Sequence, residues 1–482
     1  MLEQSKKGLN IMANFDYDIL TIGIGPAGMV VSAMGAAMGL KVCGIEKNKL
    51  GGECMNVGCI PSKALLRMAK TRHAVTKFAD FDLEEMRLPA VENPFPHIQE
   101  KLDYINNKKY AVKFEKVDKV LRQGAASFVD SHTVAVGDRK ITAKRIFICT
   151  GTRPSMPPIP GLDSIDNVLT NENLFSLESI PESMLIIGGG AIGSEMAQAF
   201  SRLGCKTTIV QMDAHLLPFA DRFAGEELEK TFKKEGIEVY NSRSISQVEA
   251  KDGRVILTTK EGETLEAERL LMAAGRVPTL DGLKLENAGV NYTPRGIPVN
   301  NNLETNVKHI YAVGDCNSTH LFSHAAMHQG MIALMNIMRP WPFKKDFKKY
   351  VVPWTVFTEP QVSSVGKQES ELIAAGIKYD VIEAKHADYG AAIAEQVTTG
   401  SVRVLASKMG KIYGVSIIGE GSAEMINEWA LAIQKNIRLA DIMLLQHSFP
   451  SMSFMNKSIG ESWMMNMLKN PWMKKMMGLM MR

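Results

Sequence analysis

The sequence predicts an α/β fold built around two copies of one strand, turn, helix and strand unit, and three observations carry that prediction. An apolar run leads into a glycine-rich turn at Gly23 to Gly28, and the same pattern returns 165 residues later at Gly188 to Gly193. The second strand of each copy stops 23 residues after the first glycine of its turn, at Glu46 and at Gln211. A chain of 482 residues has room for about three domains, each with its own core, so both copies and one further domain fit.

The first unit opens on Tyr17 to Ile22 (YDILTI), a continuous apolar run suited to a strand buried on both faces. The turn G-I-G-P-A-G follows, then a small-residue helix expected over Met29 to Gly39 and a strand over Lys41 to Ile45. In a dinucleotide-binding unit Gly23 permits the tight turn, Gly25 lets a pyrophosphate approach the backbone, and Gly28 lets helix and strand pack. Glu46 can accept a hydrogen bond from a ribose hydroxyl. The second unit reads Met184 to Ile187 as strand, G-G-G-A-I-G, a helix through Leu203, and a strand at Thr207 to Val210. At its end an acid would bind a ribose diol and an arginine would welcome a 2′-phosphate, whereas Gln211 and Met212 do neither, so NADH and NADPH stay open. Two such units imply two dinucleotides, one held permanently and one exchanged.

Composition narrows the class. Hydrophobic residues make up 45% of the chain and charged ones 22%, as in soluble globular proteins, which excludes a disordered or coiled-coil chain. A formal net charge of +4 is too balanced for general nucleic-acid binding. No run reaches the roughly 18 apolar residues of a membrane span, and MLEQSKKGLN lacks the apolar core of a signal peptide, so a cytoplasmic location is expected, with Met12 a second candidate start. Six cysteines are too few for a disulfide scaffold, and a cysteine pair here reads as metal-binding or redox-active.

That pair stands in G-G-E-C-M-N-V-G-C-I-P-S-K, Gly51 to Lys63, with Cys54 and Cys59 five positions apart. On a regular helix such residues have Cα atoms roughly 8 to 9 Å apart. A disulfide needs less than about 7 Å. The pair can bond only where the backbone is distorted, which Gly51, Gly52, Gly58 and Pro61 permit. A redox disulfide is the preferred reading. Zinc would need further ligands, and the nearest histidine, His73, stands alone; two unrelated buried cysteines are the remaining alternative. A thiolate at the start of the helix entered at Pro61 would be stabilised by the helix N-terminus.

This segment resembles the active-site disulfide of the class I pyridine nucleotide-disulfide oxidoreductases, the family of dihydrolipoamide dehydrogenase, glutathione reductase and mercuric reductase. Further matches are I-C-T-G-T-R-P at Ile148 to Pro154, A-A-G-R-V-P at Ala273 to Pro278, Y-A-V-G-D-C at Tyr311 to Cys316 and V-P-W-T-V-F-T-E-P at Val352 to Pro360. The resemblance implies two Rossmann-like domains, for FAD and NAD(P), plus a C-terminal α+β dimerisation domain in a homodimer. The expected boundaries are 1–155 and 277–350 for FAD, 156–276 for NAD(P) and 351–482 for dimerisation. It implies FAD contacts from Gly23, Gly25, Gly28, Glu46, Gly52, Gly151, Gly314 and Asp315, and NADH or NADPH contacts from Gly188, Gly190, Gly193, Gln211 and Gly275. By the same matching Cys59 is the thiol against the flavin, Cys54 meets the substrate, and Lys63 and Glu195 form an ion pair beside flavin N5. No metal site is expected.

The resemblance breaks near the C-terminus. Where the family places an H-x-H-P-T histidine and a glutamate five residues later, this chain reads H-S-F-P-S-M-S-F, so the two positions are Phe449 and Phe454. Neither ring can carry a proton, a loss worth roughly 10²- to 10⁴-fold in proton-assisted steps. His447, two residues upstream, is the candidate substitute. Mercuric reductases lack the dyad histidine too, but their C-terminal cysteine pair is absent here, the last cysteine being Cys316. A disulfide, a soft metal ion and, in a competing reading, a membrane quinone are the acceptors considered; loss of turnover in a redox sensor is a third reading. The tail, Trp463 to Arg482, holds eight methionines, two tryptophans and four basic residues without an acid. A helix there can dock on a membrane surface or a partner, pack on the dimer, or ligate Cu(I). The basic stretch Arg339 to Lys349 could join such a face. Cys43, Cys149, Cys205 and Cys316 read as small core hydrophobes, and residues 64–110 as two helices around the Pro94 to Pro96 bend.

Overall fold

The computed structural model describes residues 14–166, 168–340, 342–469 and 471. They fall into two compact units: one takes the described residues through Asn56 with Leu102–Arg153 and Val277–Phe347, the other Val57–Lys101, Pro154–Arg276 and the described residues from Lys348 onward.

In the first unit Tyr17–Ile22 runs parallel to Val42–Glu46 on one side and to Arg139–Ile148 on the other. Asp118–Leu121 extends the parallel sheet beyond Val42–Glu46, and Ile310–Ala312 joins Arg139–Ile148. Thr133–Val136 and Ser127–Phe128 form an antiparallel margin. Ile19, Leu20, Thr21 and Ile22 are buried in succession, as a strand covered on both faces requires. Leu20, Ile45, Val120, Phe128 and Ile146 share one core cluster with Leu285 and Ile297. The helix expected from Met29 begins at Pro26 and ends at Ala37. Gly25 is its N-cap and Pro26 occupies the first turn, where a missing N–H costs nothing; Gly39, at φ 83°, ends it in the left-handed conformation glycine favours.

In the second unit Ser183–Ile187 lies between Lys206–Val210 and Arg269–Met272, with Glu238–Tyr240 outermost, all parallel. Ile245–Lys251, Arg254–Thr259 and Thr264–Ala267 form a separate antiparallel sheet. From Trp354 the chain builds a five-stranded antiparallel sheet ordered Trp354–Val356, Val362–Gly366, Ile412–Ile418, Ser401–Ala406 and Asp380–Lys385. Helices Ser422–Lys435 and Phe454–Leu468 pack on its core, where the indole N–H of fully buried Trp429 donates to Asn456 Oδ1 at 2.8 Å. Trp463, the first residue of the methionine-rich tail, belongs to this core and donates to the Lys408 carbonyl at 3.3 Å. Residues 470 and 472–482 of that tail lie outside the described residues. Between the proline bend and the helix Cys59–Ala74 the regular structure is less than expected: two short 3₁₀ turns end at Asp82, at φ 56°, and 83–94 carry no regular element before Phe95–Tyr104.

A chain of charges ties three parts of the second unit together. Arg202, nearly buried, binds Glu235 through Nε at 2.9 Å and Nη2 at 2.7 Å, and its Nη1 binds Glu359. Glu359 also holds Lys70 at 2.5 Å, which reaches Glu420 at 3.4 Å. Gln198 closes the lattice by accepting from the Glu359 N–H at 2.7 Å and donating to the Glu359 carbonyl at 2.7 Å. Burial penalises the Glu359 carboxylate, but the charge of Arg202 and the bonds from Lys70 and Arg202 outweigh it and hold its pKa below the ordinary value. Burial likewise opposes the Lys70 ammonium, and Glu359 and Glu420 more than compensate, leaving its pKa raised.

Two expectations follow. A Cβ at Gly193 would overlap the Gly188 carbonyl oxygen, so Gly193→Ala should cost about 2 kcal/mol or more in a thermal melt; an unchanged midpoint would contradict the close approach. A carboxyl whose native pKa is lowered stabilises the fold above its unfolded value, here 4.5, and loses that contribution as pH falls through the native value. Glu359→Gln should therefore destabilise the protein in urea by about 1–3 kcal/mol at pH 7, with the gap to wild type narrowing below pH 4. A gap independent of pH would show that Glu359 contributes packing and not charge.

Candidate active site

In the first unit the glycine turn is shaped by contacts no side chain could share. Gly23 sits at φ 93°, and a Cβ there would stand 2.5 Å from the Cys149 carbonyl oxygen; one at Gly28 would overlap the Gly23 carbonyl. The helix behind the turn starts without a side-chain cap, so its first N–H groups remain available to an anion, favoured further by the helix dipole. Glu46 is buried; its Oε2 accepts from the Ile24 N–H at 2.8 Å and its Oε1 from the Asn48 N–H at 2.9 Å. The acid thus fastens the turn it was expected to serve, with lone pairs left for a ribose. Gly52, at φ 57°, faces the same turn, and its Cβ would lie 2.8 Å from Gly25 Cα. Space is open beside Gly151, and Asp315, which follows Gly314 at φ 82°, accepts from Thr152 Oγ1 at 3.3 Å.

Two buried polar atoms of this unit, Thr150 Oγ1 and Gln329 Nε2, have no hydrogen-bond partner among the described residues. Gln329 Oε1 is occupied by the Gly314 N–H and Asn317 Nδ2, each at 2.8 Å, which fixes the carboxamide and leaves its NH₂ facing the other way. Buried donors without acceptors are costly. The uncapped helix and the close glycine approach fit the pyrophosphate of a dinucleotide such as FAD.

The second unit repeats the geometry. Gly190 caps its helix, Ala191–Arg202, at φ −73°, ψ −169°, against −76° and −168° for Gly25, again with no side-chain cap. A Cβ at Gly188 would overlap the Ala273 carbonyl, while Gly190 and Gly275 face open space. Gln211 stands at the end of Lys206–Val210, buried, where the first copy has Glu46.

The cysteines occupy consecutive helices, Cys54 within Gly52–Asn56 and Cys59 as the first residue of Cys59–Ala74. Val57 and Gly58 interrupt the two helices, Gly58 at φ −130°, ψ −111°. The helix begins two residues earlier than expected, with Pro61 inside its first turn. Lys63, one turn after Cys59, extends its ammonium to Glu195 Oε2 at 2.7 Å and lies 4.5 Å from the Phe357 ring centroid. Glu195 Oε1 accepts from the Phe357 N–H at 2.9 Å, so the carboxylate, with 6% of its side chain exposed, is held from both sides. Phe357 is a functional neighbour that sequence spacing did not single out. A usable signal was present in Glu195, Gln198 and Arg202, polar residues at i, i+3 and i+7, which share one buried helix face.

The two phenylalanines at the expected dyad positions form an aromatic surface. Phe449 is 72% exposed and meets Phe454 edge-on at 5.3 Å, and Phe454 stacks on Tyr389 at 6.2 Å. His447 meets Phe454 edge-on at 6.4 Å, and both its nitrogens are engaged: Nε2 lies 3.0 Å from Glu428 Oε1 and 3.2 Å from Oε2, and Nδ1 is 3.3 Å from the Leu445 carbonyl. Glu428, which nothing in the spacing singled out, also accepts from Asn456 Nδ2 at 2.8 Å. The other cysteines are buried; burial pushes the Cys43, Cys205 and Cys316 thiols up to about 12 and Cys149 well above its usual range.

Comparison with known proteins accords with this arrangement. The family model described as pyridine nucleotide-disulphide oxidoreductase matches residues 17–330, and that of the family's dimerisation domain matches 352–458. The dihydrolipoyl dehydrogenase of Bacillus subtilis (strain 168) is 32% identical over 434 residues, covering 87% of this chain and 93% of its own. The mercuric reductase of Bacillus cereus is 31% identical, covering 90% of this chain and 69% of its own. Among solved structures, the HOCl-induced flavoprotein disulfide reductase RclA from Escherichia coli aligns with a TM-score of 0.82 at 25% identity, covering 93% of this chain and 99% of its own; a Cu(II) complex of that protein aligns at 0.83. No helix among the described residues is long and apolar enough to cross a membrane. The chain belongs to the pyridine nucleotide-disulphide oxidoreductase family: it is an FAD-dependent oxidoreductase that uses NADH or NADPH, and its dimerisation domain supports a homodimer.

Proposed function

We propose that this enzyme works through Cys54 and Cys59 and delivers electrons to an acceptor that needs no proton, a reducible thiol-binding metal ion such as Hg(II) or Cu(II). The observation that carries this is the aromatic pair Phe449 and Phe454 at the positions where the resemblance places a base and its glutamate. FAD and the nicotinamide, when bound, supply hydride and electron transfer. The chain's own residues set the conditions. Cys59 opens a helix of 16 residues, whose N-terminal N–H groups favour a thiolate over a thiol. Glu195 and the Phe357 N–H fix where the Lys63 charge stands. His447 is engaged by Glu428 and Leu445, which supports a structural role for it.

The electron count favours an aprotic acceptor. Closing the bond between the two reduced sulfurs releases two electrons, one to each of two Cu(II) ions or both to one Hg(II), and any proton the thiols carry passes to solvent, so no proton has to reach the product. Cleaving a disulfide instead expels a thiolate whose departure is eased by protonation, the task the family dyad serves. The relatives include a mercuric reductase, and RclA has been captured as a Cu(II) complex. We assign FAD binding to 1–155 and 277–350, NAD(P) binding to 156–276 and dimerisation to the remainder.

Steady-state assays with lipoamide, glutathione disulfide, Hg(II), Cu(II) and a soluble quinone should show turnover fastest with a metal ion. A disulfide or quinone reduced faster would overturn the assignment. Cys54→Ser and Cys59→Ser should each lower metal-ion turnover by about 10²-fold or more while the protein stays yellow. The double variant Phe449→His with Phe454→Glu should raise disulfide reduction by about tenfold or more, part of the range open to general acid-base help. No gain would mean that the aromatic pair is not what limits disulfide turnover.

A further inference from the structure

One helix of the first unit presents a face that its packing leaves outside. Ser323–Ile337 lies against Pro26–Ala37, so closely that a Cβ on Gly330 would stand 2.9 Å from the Ala27 carbonyl oxygen, and Ala325, Ala326, Gln329, Gly330 and Ala333 are buried. The other side of the helix carries His324, Met327, His328 and Met331. They stand at i, i+3, i+4 and i+7, within about 100° of arc at about 3.6 residues per turn. His324 is exposed, Met327 is 47% exposed, and His328 and Met331 are half-buried.

The outer face of a surface helix is ordinarily built from charged and polar side chains. From Ser323 to Met338 there is no Asp, Glu, Lys or Arg, and S-H-A-A-M-H-Q-G-M-I-A-L-M-N-I-M supplies two imidazoles and four thioethers instead. Histidines four apart share one helix face and together chelate a metal ion. Imidazole suits copper, and thioether sulfur selects its soft monovalent ion. Burial holds the His328 imidazole below its ordinary value, which keeps it neutral, the form that ligates, at neutral pH. His324 stacks on Phe322 at 5.6 Å, a contact made by the face of the ring and not by its nitrogens. Among the described residues no three His, Cys, Asp or Glu side chains come together as a metal cage, so the third protein ligand this face offers is a thioether.

We propose that His324 and His328, with Met327 or Met331 as third ligand, bind one Cu(I) ion on this helix. Hard divalent ions gain nothing from the sulfur, and the face has no carboxylate to offer them. Binding transfers no electron: the ion enters and leaves as Cu(I). Where Cu(II) is the electron acceptor, Cu(I) is the product of turnover, and on that reading this face takes up what the cysteines release. The site itself rests only on the helix Ser323–Ile337.

The test is anaerobic titration of the oxidised, FAD-loaded enzyme with Cu(I) in competition with the chromogenic chelator bicinchoninate, with Zn(II) as the comparison ion. The double variant His324→Phe with His328→Phe should bind one equivalent of Cu(I) fewer than wild type at unchanged flavin content. His328→Gln alone should weaken that equivalent by about tenfold or more, since loss of a mere supporting partner already costs that much. Met327→Leu with Met331→Leu should weaken Cu(I) by a similar factor and leave Zn(II) binding unchanged, a split that damage to the fold would not produce. Undiminished Cu(I) stoichiometry in the double histidine variant would overturn the proposal and assign any bound copper to other thioethers of the chain. Equal loss of Cu(I) and Zn(II) in the methionine variant would overturn it too, since the sulfur would then shape the helix and not hold the ion. Turnover enters none of these readouts, so this site and the acceptor assignment can each fail without the other.

Discussion

A backbone carbonyl stands where a side chain would have to go: the Gly23 oxygen at Gly28, and the Gly188 oxygen at Gly193. The rest of the architecture depends on that approach. Only glycine lets each helix descend onto the strand before it, and once it does, the helix starts at a turn with no side chain to occupy its first N–H groups. The two N-caps agree within a few degrees, as the shared glycine pattern of the two turns requires. What differs is the residue at the end of the second strand. Glu46 is spent largely on the turn, whereas one oxygen of Gln211 has no hydrogen-bond partner among the described residues.

Much of the two strand, turn and helix units was legible because they rest on short-range patterns. Apolar runs marked the strands buried on both faces, and the glycine spacing marked the turns. The helix boundary was misplaced by three residues because Pro26 was read as part of the turn, when proline is well suited to a first helical position. Phe357 could not be found from spacing, since its role is played by a backbone N–H that meets Glu195 from 162 residues away. Glu428 escaped for the same reason: it acts through a contact that only the tertiary fold creates. The cysteine pair stood out by its spacing and glycine-rich setting, whereas Asp315 and the separate roles of the two thiols were assigned through the family resemblance.

Charge is handled in two distinct ways. Around Lys63 a single ammonium is positioned by one carboxylate, itself pinned by a main-chain donor and flanked by an aromatic face. Two turns further along the same helix Lys70 enters a larger lattice with Glu359, Arg202 and Glu235, in which each charge has an opposite neighbour and none is exposed alone. Removing one member of the Arg202, Glu235 and Glu359 set would leave its partner charge in a poorly solvated site, which is costly. The helix that carries Cys59 is thus anchored at two heights. At the far end of the chain the opposite choice was made, with Phe449 and Phe454 where proton carriers would stand and His447 drawn to Glu428.

The most direct measurement is an anaerobic reductive titration of the purified flavoprotein with dithionite, followed by absorbance. If Cys54 and Cys59 form a redox couple with the flavin, the wild type should take up about four electrons before reduction is complete and Cys54→Ser about two, since only the flavin then remains to be reduced. An uptake of two electrons by both proteins would mean that the cysteines take no part and that electrons do not pass through a Cys54 to Cys59 disulfide.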